Sequence, residues 1–293
     1  MLDAALFEAE RSRLLRLAYR MTGSLAEAED LVQDAWLRWS RAKGVDVPAA
    51  WLTQVVTRLC LDHLKSARVR RETYVGAWLP EPLLGTTEPD DLADGLTVTL
   101  MLAMERLSPL ERAAFLLHDI FDVGLPEVAK TLDRAPATVR QLASRARRHV
   151  AEARPRYRVD AKEAARITSA FFAASRDGDP RALSDLLAED VAIHSDGGGR
   201  VPAFHNVIRG LAKAQRLFAG LRRKYPDEPA ELIRFASIDG LPGYVSRAGG
   251  GVLQTTALDI RDGRIAAIYI VRNPDKLIRV ITALQAGQAA ARG

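Results

Sequence analysis

The spacing of apolar residues changes along the chain and separates two kinds of fold. As far as about Val150, apolar side chains recur at three- and four-residue intervals, the period of helices that are buried on one face. After residue 252, β-branched runs alternate with polar residues on either side of Asp262-Gly263. This dipeptide predicts a β-hairpin, because both positions tolerate positive φ. We therefore expect a multi-domain chain with all-α domains first and an α+β domain last.

The composition limits the class of protein further. The 293 residues exceed the roughly 100 to 200 of a typical domain, so two or three compact units are expected. The single cysteine, Cys60, excludes a disulfide framework or a multi-cysteine zinc site and is typical of a reducing compartment. Apolar runs stay short of the roughly 18 residues of a membrane span, and the first residues lack the order of a signal peptide. These features predict a cytoplasmic protein without a membrane segment.

Charge is distributed unevenly behind the small net value of +5. A predicted helix from Ala49 to about Ser66 has a polar, net basic face opposite its apolar stripe, and this face continues into Arg68, Arg70 and Arg71. Such a cluster is able to neutralise several phosphates. Taken alone, the pattern also fits a solvated helix face with a basic end.

The segment from Leu125 to Val150 predicts a helix-turn-helix. A short helix ends near Leu132, Asp133–Ala135 form a turn, and Pro136 takes the first position of a second helix. Small and polar residues at the start of that helix let it enter a major groove, and its arginines hold phosphates. A generic basic helical hairpin is the alternative. The predicted DNA-facing residues are Ala137, Thr138, Arg140, Gln141, Ser144, Arg145 and Arg148.

Two acidic segments contrast with these basic helices. Glu27, Glu29, Asp30 and Asp34 lie within eight residues without a basic neighbour, which suits a basic protein partner or, as charge alone, a solvated face. The stretch 76–95 contains three prolines and five acidic residues but no Lys or Arg, and it reads as a linker.

The order of these features resembles the bacterial extracytoplasmic-function (ECF) sigma factors of RNA polymerase. The similarity rests on AEDLVQDAWLR from Ala28, on Trp51-Leu52 followed by LDHLK from Leu61, and on LSPLERAAFLL from Leu107, which leads into the helix-turn-helix. The resemblance implies polymerase binding by Glu29, Asp30, Leu31, Gln33, Asp34 and Trp36. It implies recognition of the minus-ten promoter element by Gln54, Arg58, Asp62, His63, Lys65 and Arg68, and of the minus-thirty-five element by the helix-turn-helix.

Three further segments resemble the ECF subgroup that carries a fused SnoaL-like domain, a cone-shaped α+β fold. They are WLPEPL in the linker, DGGGR from Asp196 and NPDKL from Asn273. The subgroup implies that the C-terminal domain regulates the sigma regions in cis. The implied interdomain residues are Trp78, Leu79, Pro80, Glu81, Pro82, Asp196, Gly197, Gly198, Gly199, Arg200, Asn273, Pro274, Asp275 and Lys276.

The resemblance also implies a domain order and a set of partners. The partners are core RNA polymerase, through its clamp and flap surfaces, and promoter DNA; no separate anti-sigma factor and no cofactor are expected, and the free chain is expected to be a monomer. The boundaries are region 2 at 1–75, a linker at 76–96, region 4 at 97–153, a second linker at 154–162 and the SnoaL-like domain at 163–293.

The C-terminal domain leaves two alternatives open. Some SnoaL-like proteins are enzymes, and His194, Asp196, His205 and Tyr244 are candidate polar residues, but their spacing matches no metal or catalytic-triad motif. We therefore expect no enzyme activity. The rival classes are a helix-turn-helix regulator with a small-ligand-binding domain and a SnoaL-type enzyme with a DNA-binding appendage.

Overall fold

The computed structural model describes residues 4–72, 74, 76–85, 97–151 and 160–290. The chain divides into two compact units, one of Met1–Thr73 with Thr99–Arg154 and the other of Tyr74–Val98 with Pro155–Gly293. The first unit is helical and the second is α+β, so the predicted fold class is confirmed. Tyr74 belongs to the second unit, although the sequence placed it before the linker. No helix in the described part of the chain has the length and hydropathy to span a membrane.

The helical unit follows the predicted periodicity closely. Ser24 accepts a hydrogen bond from the Glu27 N–H at the start of the second helix, and Ser108 forms a capping box with Glu111. The fifth helix continues into a π-helical turn at Leu116–Ile120. The helices are α1 (Ala4–Thr22), α2 (Leu25–Trp39), α3 (Pro48–Glu72), α4 (Val98–Met104), α5 (Pro109–Phe115), α6 (Leu125–Leu132) and α7 (Pro136–Ala151).

The α+β unit is built on one six-stranded sheet. The strand order is β2-β1-β6-β5-β4-β3, and every pair is antiparallel except β1 with β6. Its elements are α8 (Ala161–Asp177), α9 (Pro180–Leu186), β1 (Leu187–Asp196), β2 (Ile208–Arg209), α10 (Leu211–Lys224), β3 (Glu231–Ile238), β4 (Leu241–Arg247), β5 (Leu253–Arg261), β6 (Arg264–Val271) and α11 (Ile278–Ala290).

The predicted hairpin is the pair β5 and β6. Its turn places Asp262 at φ 50° and Gly263 at φ 75°, the left-handed conformation that an Asp-Gly turn favours. Helices α8, α9 and α10 contribute apolar residues to one core with the sheet, where Phe171 meets Phe218 edge to face at 5.6 Å. The sheet therefore buries one face under three helices and ends β1 and β6 side by side, at Asp196 and Val271.

Candidate functional site

Helix α2 presents an acidic face, which we define as Glu29, Asp30, Gln33 and Asp34. All four side chains are exposed. The other two predicted polymerase-binding residues have different surroundings, since Leu31 is buried in the core and Trp36 packs against the Phe7 ring at 5.0 Å. The structure therefore gathers the polar members of the set on one open surface.

The residues predicted on α3 are only partly on an open surface. Arg58, Asp62 and Lys65 are exposed, and Asp62 pairs with Lys65 at 2.9 Å. His63 is half-buried, with Nε2 3.0 Å from a Glu27 carboxylate oxygen. Gln54 donates through Nε2 to the Lys130 carbonyl of α6 at 3.4 Å. The side chain of Arg68 lies outside the described residues.

Helix α7 has the geometry that its sequence predicts. Val139, Ala143, Ala146 and Val150 are buried, whereas the turn before the helix places Asp133 at φ 53°. One neighbouring arginine is occupied, because Arg147 Nε bonds the Asp119 carboxylate at 2.6 Å. The residues predicted to face DNA are all exposed: Ala137, Thr138, Arg140, Gln141, Ser144, Arg145 and Arg148.

Three side chains tie the two predicted sigma regions to each other within the helical unit. Buried Arg112 of α5 donates to the Met21 carbonyl at 2.7 Å and pairs with Glu105 at 2.8 Å. Phe121 lies under the guanidinium of Arg20 at 5.3 Å, and Gln54 reaches α6. We call Arg112, Phe121 and Gln54 the region 2–region 4 interface. This interface was not predicted from the sequence, although a lone arginine among apolar residues in LSPLERAAFLL was the available signal.

The linker is bound by a buried carboxylate at the end of β1. Asp196 is completely buried. Its Oδ1 accepts from the Tyr74 hydroxyl at 2.6 Å, and its Oδ2 accepts from the Leu79 N–H at 2.9 Å and from Lys276 Nζ at 2.8 Å. We call Asp196, Tyr74, Leu79 and Lys276 the Asp196 site. It joins three segments of the α+β unit that are far apart in sequence.

The cation of the Asp196 site is held by the linker as well as by the carboxylate. Lys276 Nζ donates to the Leu79 carbonyl at 2.5 Å and lies 4.4 Å from the centre of the Trp78 ring. Asn273 donates to the Tyr74 hydroxyl oxygen at 3.0 Å. Burial and the neighbouring Asp196 carboxylate raise the pKa of Tyr74 above its usual range, so its hydroxyl remains a donor.

The rest of the linker continues along the edge of the sheet. Leu84 forms an antiparallel bridge with Ile238, and the Leu83 N–H donates to the Asp239 carboxylate at 3.0 Å. Asp239, at φ 46°, was not singled out from the sequence. Within the WLPEPL motif, four consecutive residues are buried: Leu79, Pro80, Glu81 and Pro82.

The DGGGR loop fits closely around this site. A Cβ at Gly198 would collide with the Asn273 amide, and its φ of 62° favours glycine. Gly197 lies as tightly against Val201. Arg200 forms an exposed pair with Asp275 at 3.0 Å, and it bonds no group in the described part of the linker. Pro274 begins a 3₁₀ turn, Pro274–Lys276, that Asn273 caps.

The candidate catalytic residues do not form one cluster. His194 is half-buried, and its ring centre lies 5.2 Å from that of Tyr269. Burial lowers its pKa to about 4. His205 is exposed, Tyr244 is buried, and Asp196 binds the linker. Among the described residues, no group of three or more His, Cys, Asp or Glu is placed to hold a metal ion.

Comparison with known proteins gives concordant matches. Sigma-70 region 2 matches residues 6–70, and Sigma-70, region 4 matches residues 97–150. The ECF RNA polymerase sigma factor SigJ of Mycobacterium tuberculosis is 39% identical over 290 residues, which are 94% of this chain and 93% of that protein. The probable ECF sigma factor SigI of the same organism is 35% identical over 285 residues, 94% of each chain. The crystal structure of SigJ aligns with a TM-score of 0.75 at 36% identity, covering 94% of this chain and 98% of that one.

Proposed function

Because the chain belongs to the ECF RNA polymerase sigma factors, we propose that it binds core RNA polymerase, reads promoter DNA with two helices, and is regulated in cis through its linker. In this proposal region 2 comprises residues 1–75 and region 4 comprises 97–153. The chain acts as a monomer in the cytoplasm and needs no separate anti-sigma factor or catalytic activity.

The acidic face of α2 is proposed to bind the polymerase clamp, and region 4 the flap. Four exposed acidic or amide side chains in two helical turns would repel DNA, so a basic protein surface is the complementary partner. Leu31 supports this face from the core, and Trp36 supports it through its contact with Phe7.

The two basic helices are proposed to read DNA. Helix α7 leads with Ala137 and Thr138, which are small enough to enter a major groove, and its exposed arginines lie further along the helix. The exposed side chains of α3 follow the loop between α2 and α3, where Arg38, Arg41 and Trp51 line an open pocket. A flipped minus-ten base, stacked beside a tryptophan, suits that pocket.

The described helical unit is proposed to be a closed form. Two promoter elements separated by roughly 25 base pairs lie about 85 Å apart at 3.4 Å per base pair. Gln54 of α3 bonds the carbonyl of Lys130 in α6 at 3.4 Å, so α3 and α7 are too near each other to reach both elements of a straight duplex. Binding to a promoter therefore requires opening of the region 2–region 4 interface.

Linker binding at the Asp196 site is proposed to limit that opening. The chain from the end of α3 to the start of α4, residues 73–97, spans at most about 85 Å, at roughly 3.4 Å per residue. When residues 74–85 are bound to the α+β unit, their end-to-end distance is fixed, and the remaining twelve residues, 86–97, can add at most about 40 Å. Bound linker thus favours the closed form.

The observation that carries the regulatory proposal is the burial of Asp196 against linker groups on both of its oxygens. We would reconstitute transcription with core polymerase and a promoter library, using the full chain and a Tyr74→Phe, Trp78→Ala variant, which changes only the linker side of the site. We expect higher transcript yield from the variant. The matched control is Arg200→Ala, which removes the exposed pair with Asp275. Equal yields from the linker variant and the wild-type chain would refute regulation through this contact.

A further inference from the structure

The α+β unit contains a partly open cavity of about 210 Å³ between its sheet and helices α8 and α10. One water needs only about 10 to 15 Å³ of such volume, so the cavity has room for a small molecule. The helices supply Phe172, Phe218 and Leu221 to the wall. None of the four residues of the Asp196 site lines this cavity.

The floor of the cavity is formed by residues that lie side by side on four neighbouring strands. Ser195 of β1 pairs with Ile270 of β6, which pairs with Thr256 of β5, which pairs with Tyr244 of β4. Side chains two residues apart on a strand share a face. Two further polar residues lie on the same face beside this row, and both line the cavity. Ser246 comes two residues after Tyr244, and Arg272 comes two residues after Ile270.

Several polar atoms of this row are buried without a hydrogen-bond partner. Ser195 and Ser246 are at most 2% exposed, and in the described part of the chain their hydroxyl oxygens make no hydrogen bond. A buried hydroxyl without a partner costs free energy, and such groups are uncommon in folded proteins. Both hydroxyls can therefore bond a molecule that enters the cavity.

Arg272 adds a positive charge to the same cavity. Its Nη1 donates to the Pro202 carbonyl at 2.6 Å, while its buried Nε has no partner, and among the described residues it forms no ion pair. Burial lowers its pKa, but a guanidinium remains charged at neutral pH. Arg176, Arg222 and Lys224 also line the cavity, against one carboxylate, Glu228, which accepts a hydrogen bond from the Gly250 N–H at 3.1 Å. The lining is therefore net basic, and an arginine without an ion-pair partner favours binding of an anion.

We propose that this cavity binds a small organic carboxylate with an apolar body. The carboxylate accepts hydrogen bonds from Arg272 Nε and from the Ser195 and Ser246 hydroxyls, and the apolar body packs against Phe172, Phe218 and Leu221. A neutral molecule of the same shape leaves the guanidinium uncompensated. The site therefore discriminates between an acid and its amide.

Two residues that line the cavity are next in sequence to residues at or beside the Asp196 site. Ser195 precedes Asp196, and Arg272 precedes Asn273. The N–H groups of Arg272 and Asn273 both donate to the Asp196 carbonyl, at 2.7 and 2.9 Å. A ligand that moves Arg272 or Ser195 changes the position of the carboxylate that binds the linker. This coupling rests on the proposed function, whereas ligand binding itself does not.

The binding test uses the purified full chain with benzoate, phenylacetate, indole-3-acetate and octanoate, each paired with its amide. We expect at least one acid to raise the Tm by several degrees and its amide to leave it unchanged. Arg272→Met should weaken binding of that acid by about tenfold or more. The matched control Arg223→Met changes an exposed arginine of α10 that does not line the cavity. Binding by no acid, equal binding of acid and amide, or undiminished binding by Arg272→Met would overturn the proposal.

A second variant separates a binding role from a structural one. Ser246→Ala should raise the Tm of the free chain or leave it unchanged, because it removes a buried hydroxyl without a partner, and it should weaken binding of the acid. A fall in Tm with unchanged binding would show that Ser246 is structural. Hydrogen exchange of the Leu79 N–H, which donates to Asp196, reports the coupling. Unchanged exchange with the acid bound would overturn the coupling and leave both the ligand site and regulation by the linker standing.

Discussion

Helix α7 and the Asp196 site have opposite architectures. The seven residues predicted on α7 are all exposed on one helix and lie within twelve consecutive positions, 137–148. The Asp196 site is buried and joins residues 74, 79, 196 and 276. An exposed surface is defined by one element, and single changes on it have little effect on stability, whereas the stability of a buried charge depends on each of its partners. The two sites should therefore respond differently to substitution, in stability and in binding.

Loss of the buried cation should give the largest effect. Lys276→Met leaves the fully buried Asp196 carboxylate with hydrogen bonds but no positive charge, which is expected to cost about 3 to 5 kcal/mol of unfolding free energy. Urea denaturation of the full chain measures the loss. Lys213→Met, at an exposed lysine of α10, should stay within about 0.5 kcal/mol of wild type. Similar values for the two variants would show that the buried pair contributes no more than a surface charge.

Reversing one charge on the acidic face of α2 should affect binding and leave the fold intact. Asp30→Lys places a cation opposite the proposed basic surface of polymerase, and like charges at an interface cost several kcal/mol. We expect at least about a hundredfold weaker binding of core polymerase in a pull-down titration, with an unchanged Tm. Glu8→Lys makes the same charge change at an exposed position of α1 that is not part of this face. Wild-type affinity of Asp30→Lys would exclude the assignment.

The α+β unit should lose stability in acid because His194 becomes protonated more readily in the unfolded chain than in the folded one. Its pKa is lowered to about 4 by burial, with the Arg209 charge acting in the same direction, whereas an unfolded histidine titrates near 6.5. Between pH 4 and pH 6.5 the unfolded state binds more protons than the folded state. The free energy of unfolding therefore has its full value above about pH 6.5 and falls as the pH drops to 4. The loss is about 2 to 3 kcal/mol. His194→Gln should flatten this part of the stability curve, and His205→Gln, at an exposed position, should retain it. Parallel curves for wild type and His194→Gln would contradict the assignment.

The same contrast explains how much of the molecule was predictable from sequence. The start of α7 at Pro136, the turn near Asp133 and the hairpin at Asp262-Gly263 have local signatures in periodicity and φ preference, and the structure confirms them. The short helix α9 and the strand β2 were missed, because seven and two residues are too few to show a period.

The site residues divide along the same line. The WLPEPL, DGGGR and NPDKL segments were identified through a family resemblance, but nothing in their own sequence specifies that Lys276 meets Asp196 and Leu79. Contacts between residues separated by 80 to 197 positions have no local pattern and arise only when β1 and β6 end side by side. Arg112 was missed for the same reason, since its partner is the carbonyl of Met21, 91 residues away.

Two arginines of α7 allow the smallest and most specific test of the exposed surface. Arg148 is exposed, whereas Arg147 already pairs with Asp119 at 2.6 Å. If Arg148 neutralises one phosphate, Arg148→Ala should reduce the slope of log K against log salt by about 0.9 for promoter DNA and weaken binding to all sequences alike. Arg147→Ala should change this slope less, because that guanidinium is engaged within the protein. A salt titration of the polymerase complex with each variant measures both slopes. Equal losses would mean that exposure and pairing in the helical unit do not determine which arginines contact DNA.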